Sequence, residues 1–454
     1  MPVARPTLEM ILTRWASAIA ISCVVLVIGT VPAGAAAPLA PAPKPVAGGA
    51  AMNSAHPVLR FSGAFQNPTP LPTISDPDPT VCAFDCQEWR LNVATTTPFL
   101  VSIKNTNGSI NDGLNLYVYD PSGQQVGSSE GVGSNGQAVT VKPTSKGPYR
   151  VVITVTYQYD PKVVYLGEAR IMAPPSWTTP GCASPCPMLP RLRPMPPTDF
   201  HVDGIPPVAS TPLGFPFPFT IPTGNSCYVD EAVNTGALRC LRFTSVVRDD
   251  GDGVLKLRLP WFTSSGQSGF VPGDCKATQV IEWTNGKETT RPAGPCLYHP
   301  QHAHFHYRNF VSFAMYPVPH GHTATRLVKR LRSLKESFCL ADDDYFGFGT
   351  SGPNGPRRYA GQPGCNFPAS ADENGAWVEM GMTPGWADVY TWDTPSQYID
   401  ITDVPAGVYD VIAETNPAGD LLVAGPTNVC ASTRIRLTDT SVKAIAVHPN
   451  TPCP

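Results

Sequence analysis

Apolar and polar residues alternate along much of this chain with the two-residue period of a β-strand. In DGLNLYVYDPSGQQV, the residues Leu114, Leu116 and Val118 alternate with other side chains until the turn signal DPSG, and GPYRVVITVTY repeats the alternation further along. Short apolar runs separated by turn residues continue to the C-terminus. No long stretch has the period of an amphipathic helix. The pattern therefore predicts an all-β fold.

Proline-rich segments interrupt the strand pattern twice and divide a chain of 454 residues, which is long for one domain. Residues 36–55 are rich in Ala and Pro and are predicted to be a linker. Residues 173–198 hold many prolines and are predicted to be a stiff connector. The parts in between are predicted to be a β-sandwich accessory domain at 56–172 and a second β domain with long loops at 199–454.

The first 35 residues are typical of an export signal rather than of a strand. Arg5 and Arg14 precede the apolar run AIAISCVVLVIG, and the small residues AGAAA follow it. The run is short for a membrane anchor. We therefore expect residues 1–35 to be removed, which leaves a secreted protein without membrane attachment. Lipidation of Cys23 is the weaker alternative, because AISC matches a lipidation sequence poorly.

Composition adds an argument about the redox compartment. The chain has 13 cysteines, and twelve remain once Cys23 is removed with the signal. An even number in an exported chain predicts disulfides. Sequence alone leaves the connectivity open, and zinc binding is disfavoured because the CxxxC pairs lack a matched second pair. Proximity suggests the pairs Cys82–Cys86, Cys182–Cys186, Cys227–Cys240, Cys275–Cys296, Cys339–Cys365 and Cys430–Cys453.

Charge excludes one class of partner. The 32 basic and 35 acidic residues give a formal net charge of −3, and no basic run is present, which argues against nucleic-acid binding. The 52 prolines and the charged content of 15% are more typical of turn-rich β-sandwiches than of helical proteins.

The segment YHPQHAHFHYRNF carries the clearest candidate for a metal site. Its residues His302, His304 and His306 alternate with Ala303 and Phe305, so on a strand the histidines share one face. Buried polar rings each need a partner, and one copper, zinc or iron ion satisfies three neutral imidazoles together. An exposed row is the alternative, although the apolar continuation FVSFAMYPV disfavours it. The row predicts a metal but no particular reaction.

Other strings give that row a chemical context. LRFTSVVRDDGDGVLKL precedes it, and LKESFCL, PGWADVY and QYIDITDVPAGVYDV follow it in this order. Together these motifs resemble the lysyl oxidase family of copper-dependent amine oxidases, across roughly residues 190–430. Five motifs in the family's order make a specific resemblance.

The resemblance implies a cofactor made from the chain itself. In this family, copper and oxygen convert a tyrosine ring to a quinone, and a lysine amine adds to it to give lysine tyrosylquinone. The matching residues here are Tyr390 and Lys335, and Asp388 matches the base that takes a proton from the substrate. The matching copper ligands are His302, His304 and His306. The implied reaction oxidises a primary amine, expected to be a protein lysine side chain, with molecular oxygen, and it releases aldehyde, ammonia and hydrogen peroxide.

The accessory domain carries a looser resemblance. The two strings quoted for its strands resemble the small bacterial pre-peptidase C-terminal β-sandwich, which is often appended to secreted enzymes. A binding or spacer role is implied only by that likeness, and a purely structural sandwich is equally compatible with it.

Two departures from the family pattern change what is expected. Tyr298 and Gln301 stand where animal members have Trp and Cys, so one family disulfide is absent and Cys339 is expected to pair across the loop 345–364. A calcium-binding Leu-Pro-Asp-Leu string is replaced by LPRL with Arg191, and its acidic counterpart by VAGPTNV. Because calcium needs six or more oxygens, we predict that no calcium binds.

Two rival functions remain at this point. A non-catalytic extracellular copper-binding or adhesion module, derived from such an oxidase, is compatible with the lost calcium ligands. A zinc hydrolase using the same histidines is disfavoured, because no acid or base is placed by a motif such as HExxH. Lys335 and Tyr390 discriminate between the alternatives, because a non-catalytic copy has no chemical reason to keep both.

Overall fold

The computed structural model describes residues 44–45, 51–66, 73–74, 78–80, 82, 86–107, 112–130, 135–158, 160–172, 182, 184–202, 227–228, 231, 235–261, 275–299, 304–318, 331–333, 335, 337–349, 355–359, 365, 370–372 and 375–454. The predicted signal sequence, residues 1–35, and the predicted ligand His302 lie outside these ranges.

The first ten described strands form the two sheets of a sandwich. They are β1 (Lys44–Pro45), β2 (Val58–Gln66), β3 (Thr73–Ile74), β4 (Cys86–Val93), β5 (Phe99–Asn105), β6 (Gly113–Tyr119), β7 (Gln125–Ser129), β8 (Gly136–Val141), β9 (Gly147–Gln158) and β10 (Lys162–Ile171). One sheet has the order β1-β4-β9-β6-β7, with β3 beside β9, and the other has the order β2-β10-β5-β8. Apolar side chains of both sheets, such as Val101 and Leu116, are buried in one core. We refer to β1–β10 as the sandwich.

The described part of the predicted linker takes part in this sandwich. Lys44 and Pro45 pair in parallel with Trp89 and Arg90 of β4. Met52 is fully buried and its amide donates to the carbonyl of Asn92. The Ala/Pro-rich composition predicted a linker here, but backbone pairing and the burial of Met52 hold the described residues against the edge of the sheet.

Eighteen further described strands form three sheets. The strands are β11 (Pro187–Met188), β12 (Leu192–Pro194), β13 (Thr198–His201), β14 (Cys240–Asp249), β15 (Leu255–Pro260), β16 (Lys276–Trp283), β17 (Glu288–His299), β18 (His304–Arg308), β19 (Val311–Pro317), β20 (Ser337–Phe338), β21 (Asp344–Tyr345), β22 (Ser370–Asp372), β23 (Gly375–Met382), β24 (Trp386–Tyr390), β25 (Tyr398–Asp400), β26 (Gly407–Thr415), β27 (Val429–Leu437) and β28 (Val442–Thr451).

These sheets enclose the second core of the molecule. Their orders are β20-β18-β17-β16-β15-β23-β22 with β11 beside β16, β12-β14-β24-β21 with β13 and β25 beside β14, and β19-β26-β27-β28. Phe243, Phe305 and Phe313 come from the three different sheets and are buried in one cluster. The antiparallel pairing of alternating strands confirms the all-β prediction.

The second half of the predicted connector belongs to these sheets. Strand β11 pairs with β16, and β12 pairs with β14. Leu192 is buried in the same cluster as Phe243. Proline in this segment does not prevent β11 and β12 from pairing, because a sheet edge tolerates it.

Six disulfides join the cysteines that proximity suggested. They are Cys82–Cys86, Cys182–Cys186, Cys227–Cys240, Cys275–Cys296, Cys339–Cys365 and Cys430–Cys453. Disulfides at this density are typical of proteins outside the cytosol. In the part of the chain that the structure describes, no helix has the length and apolar character to cross a membrane.

Candidate metal and cofactor site

Two of the three predicted metal ligands lie on the short strand β18. His304 and His306 point to one face, as the two-residue period requires, and each is 3% exposed. Phe305 and Tyr307 point to the opposite face and pack in the second core. Strand β18 is held between β17 and β20, so the two imidazoles are fixed from both sides.

The ring nitrogens of these two histidines face each other. The Nε2 atoms of His304 and His306 are 2.7 Å apart. Imidazole nitrogens bind metals at about 2.0–2.1 Å, so both can reach one ion after a small separation. The Nδ1 atom of His306 lies 3.0 Å from the Ser337 hydroxyl, and such a bond from the far nitrogen orients a metal-bound imidazole. The pair fits a soft or borderline metal such as copper.

The predicted cofactor residues meet although they are distant in sequence. The amine nitrogen Nζ of Lys335 lies 4.0 Å from the centroid of the Tyr390 ring. Phe338 packs against both, with its ring 5.2 Å from the same amine and 5.1 Å from the ring of Tyr390. An amine over a ring face at this distance is close enough to approach a ring carbon after a modest rotation.

Burial sets the protonation of both groups. It lowers the pKa of Lys335 from 10.5 to about 8, while the carboxyl of Asp388 acts in the opposite direction. Burial, followed by Asp388 and Asp343, raises the pKa of Tyr390 well above its usual value. Burial therefore shifts both groups towards their uncharged forms, because a desolvated charge is costly.

Asp388 occupies the same face of β24 as Tyr390, two residues earlier, and is 2% exposed. Burial and the charge of Asp343 raise the pKa of Asp388 well above its usual value, and the Ala341 amide and Lys335 oppose this shift. The Ala341 amide donates to Asp388 Oδ1 over 3.1 Å. A buried carboxyl with a raised pKa is a stronger base than an exposed one, which suits a proton acceptor.

The described residues of one segment, 335 and 337–341, connect the members of the site, and we call them the linking segment. Three of its residues contact different members of the site. Lys335 contacts the Tyr390 ring, Ser337 contacts His306, and Ala341 contacts Asp388. Between these, the Cys339 amide donates to the Tyr390 hydroxyl over 2.8 Å, and that hydroxyl donates back to the Cys339 carbonyl over 3.1 Å. The disulfide to Cys365 anchors the segment.

The linking segment contains the contacts that the sequence prediction missed. Ser337 and the backbone of Cys339 and Ala341 were not singled out, although LKESFCL has the two-residue period that places alternate residues on one side. Backbone groups carry no residue-type signal, so only the fold reveals them.

The two strings expected to have lost a calcium site do lie side by side. The Ala424 amide donates to the Pro190 carbonyl over 2.8 Å. A Cβ atom on Gly425 would lie 3.7 Å from Nε of Arg191, so a guanidinium stands next to this turn. A fixed positive charge repels a second cation, which is consistent with the expected absence of calcium.

Replacing His306 with alanine is expected to abolish stoichiometric copper retention after dialysis, because two or fewer imidazoles remain. Metal analysis of the protein measures the effect. Ser337→Ala is expected to weaken copper affinity by about 10- to 100-fold through loss of the orienting bond. His448→Ala, at an exposed position on β28, is the matched control and should retain copper. Full copper retention by His306→Ala would exclude this strand as the metal site.

Comparison with known proteins gives one family match over part of the chain. Residues 277–447 match the family model described as lysyl oxidase. His304, His306, Lys335, Asp388 and Tyr390 all lie within the matched range. No curated protein matches the chain. The match supports an amine oxidase type of activity at the level of reaction class. Over residues 277–447, which are less than half of its length, the chain is therefore similar to the lysyl oxidase family.

Proposed function

We propose that this protein is a secreted, copper-dependent oxidase of primary amines, with a lysine side chain of a protein as its expected substrate. The overall reaction consumes the amine, molecular oxygen and water, and it yields aldehyde, ammonia and hydrogen peroxide. The observation that carries the proposal is the 4.0 Å distance between the Lys335 amine nitrogen and the centroid of the Tyr390 ring. The family match and the buried histidine pair support the same reaction class.

The proposed cofactor is lysine tyrosylquinone, formed from Lys335 and Tyr390, with copper held by His302, His304 and His306. The quinone supplies an electrophilic carbonyl and accepts two electrons, and copper supports its formation. The chain's own residues do the remaining work. Lys335 presents an amine whose pKa is lowered to about 8, Cys339 holds the Tyr390 oxygen in place, and Asp388 takes a proton from the carbon next to the substrate nitrogen.

The site suits a substrate that carries a flexible primary amine. Tyr390 is only partly buried as a residue, whereas Lys335 and Asp388 beside it are buried. The charge of Asp343 lies near the ring and attracts a protonated amine. The six disulfides are consistent with action outside the cell.

The direct test of this proposal is to detect the bond between the two residues. The full chain is loaded with copper in air, digested, and examined by mass spectrometry for a species that joins the peptides containing Lys335 and Tyr390. The bond should appear only after copper is added. Lys335→Arg keeps the charge but cannot form this bond, and it serves as the control. Separate peptides in copper-loaded, air-exposed protein would favour the non-catalytic copper-binding module instead.

Formation of the cofactor is expected to depend on pH through Lys335. Only the uncharged amine can add to the ring, and the folded protein lowers the pKa of Lys335 to about 8. The rate of chromophore appearance after copper addition should therefore rise about tenfold per pH unit below this value and level off above it. Stopped-flow absorbance across this range measures the profile. A rate that continues to rise towards pH 10, as for an exposed lysine, would contradict it.

A further inference from the structure

The sandwich reaches the neighbourhood of the active site through one strand. The Gly136 amide at the start of β8 donates to Oδ1 of Asp344 over 2.7 Å. Beside it, the side-chain amide of Gln137 donates to the Asp343 carbonyl over 3.3 Å. These contacts join residues about two hundred positions apart, and both partners belong to the compact unit Ala40–Pro454. The accessory domain is therefore in direct contact with the segment Asp343–Tyr345, which we call the acidic loop.

The contact is close and partly apolar. A Cβ atom on Gly136 would lie 2.1 Å from the Tyr345 carbonyl oxygen, so only glycine permits this approach. Leu100 and Ala138 of the sandwich form one buried cluster with Tyr345 and Trp386. A shared apolar cluster holds two surfaces together more firmly than isolated hydrogen bonds do.

The sandwich also supplies the partners that a buried acid requires. Asp344 is 4% exposed, and burial raises its pKa to about 6. The backbone amides of Gly136 and Asn135 oppose this shift by hydrogen bonding to the carboxylate, and the charges of Arg248 and Lys104 act in the same direction. Without the sandwich, this carboxylate would lose its backbone donors, which is costly for a desolvated charge.

The acidic loop in turn holds the strand of the proposed base. The Asp343 amide donates to the Ala387 carbonyl over 2.9 Å, and Oδ2 of Asp343 accepts from the Val389 amide over 3.1 Å. Ala387 and Val389 are the immediate neighbours of Asp388. The loop therefore fixes β24 on both sides of the carboxyl that faces Lys335 and Tyr390.

We propose that the sandwich is a positioning element of the active site, acting through Asp343 and Asp344 on Asp388, rather than an independent appended module. The inference rests on the proposed function, because it assigns Asp388 a role in the reaction. Strand β8 holds the acidic loop in position, and the acidic loop holds β24. Strand β24 in turn places the carboxyl of Asp388 beside Lys335 and Tyr390. Gly136 and Asp344 are positioning residues in this arrangement, since neither contacts the proposed cofactor.

Valine at Gly136 tests this chain of contacts in the copper-loaded full chain. The new side chain collides with the Tyr345 carbonyl and should lower kcat by about 100-fold, the effect of roughly 1 Å of misplacement. The KM and the copper content should remain unchanged. Gly136→Ala is a milder variant for the case that valine prevents folding. Gly167→Val is the matched control, because its side chain would collide with the Phe61 ring inside the sandwich.

Hydrogen exchange followed by mass spectrometry adds a measurement that does not depend on activity. Amides in the acidic loop and in β24 should exchange faster in Gly136→Val, and those in β18 should not change. An unchanged kcat, or unchanged exchange at β24, would overturn the proposal. Equal losses in Gly167→Val would also overturn it, because the effect would then reflect general destabilisation. If the wild-type protein oxidised no amine, the proposed function would fail, and the exchange experiment would still decide whether the sandwich holds the loop.

Discussion

Tyr390→Phe is expected to yield a folded, copper-binding protein with neither a carbonyl-reactive chromophore nor peroxide release. The phenol oxygen is the atom that a quinone requires, and phenylalanine cannot supply it. The variant also loses the pair of hydrogen bonds with Cys339. Leaving these backbone groups unpaired should cost about 1–3 kcal/mol of stability. Phenylhydrazine labelling, peroxide release and thermal unfolding measure the three effects.

The matched control for this substitution is Tyr409→Phe. Tyr409 is buried in the same core, and its hydroxyl donates to the Pro405 carbonyl over 2.8 Å. The control removes a comparable hydrogen bond away from the proposed cofactor, so its labelling and peroxide release should match those of the wild type. A phenylhydrazine adduct of undiminished yield in Tyr390→Phe would refute the assignment of Tyr390 as the quinone precursor.

Asp388→Asn is expected to separate cofactor formation from turnover. Asparagine keeps an oxygen for the Ala341 amide but cannot act as a base at neutral pH. Phenylhydrazine should still label the protein, while kcat with an alkylamine should fall by about 100- to 10,000-fold. Asp400→Asn is a suitable control, because Asp400 Oδ1 accepts from the Thr402 amide in a turn outside the site. Turnover at the wild-type rate would exclude Asp388 as the base.

The pH profile gives this assignment a second check. A base acts only when deprotonated, so activity should fall as the pH decreases through the pKa of Asp388. Burial and the negative charge of Asp343 raise that pKa above the ordinary value for an aspartate. Asp343→Asn removes this charge and should therefore move the acid limb of the profile to lower pH. The asparagine still offers an oxygen to the Val389 amide, so the local structure should be kept.

The linking segment explains why a single short stretch can serve both metal and cofactor. Ser337 and Phe338 form β20, which pairs with the histidine strand β18. Its next residues bond the phenol of Tyr390 and the carboxyl of Asp388. A displacement of this segment would therefore affect all three parts together. Because its contacts come mostly from the backbone, the segment depends on extended conformation and on anchoring by the Cys339–Cys365 disulfide.

The sequence by itself determined the local features of the protein. Two-residue alternation predicted strands and placed His304 and His306 on one face with Phe305 behind them, because a strand's side-chain period follows from backbone geometry. Cysteine spacing suggested all six disulfides, since short separations favour closure. The ordered motifs identified Lys335, Asp388 and Tyr390 as candidates. His302, the third predicted ligand, stays a prediction because it lies outside the described residues.

Only the tertiary structure decided which distant groups meet. The Tyr390 hydroxyl bonds the backbone of Cys339 across 51 positions, and Gly136 bonds Asp344 across 208. Neither contact can be predicted from the sequence, because nearly every residue carries the same backbone N–H donor. The residue that a donor meets depends on which distant segments pack together. For the same reason, the sequence did not predict that Met52 and strands β11 and β12 pack against their sheets. Alternation fixes the direction of each side chain, whereas long-range packing fixes the neighbours it faces.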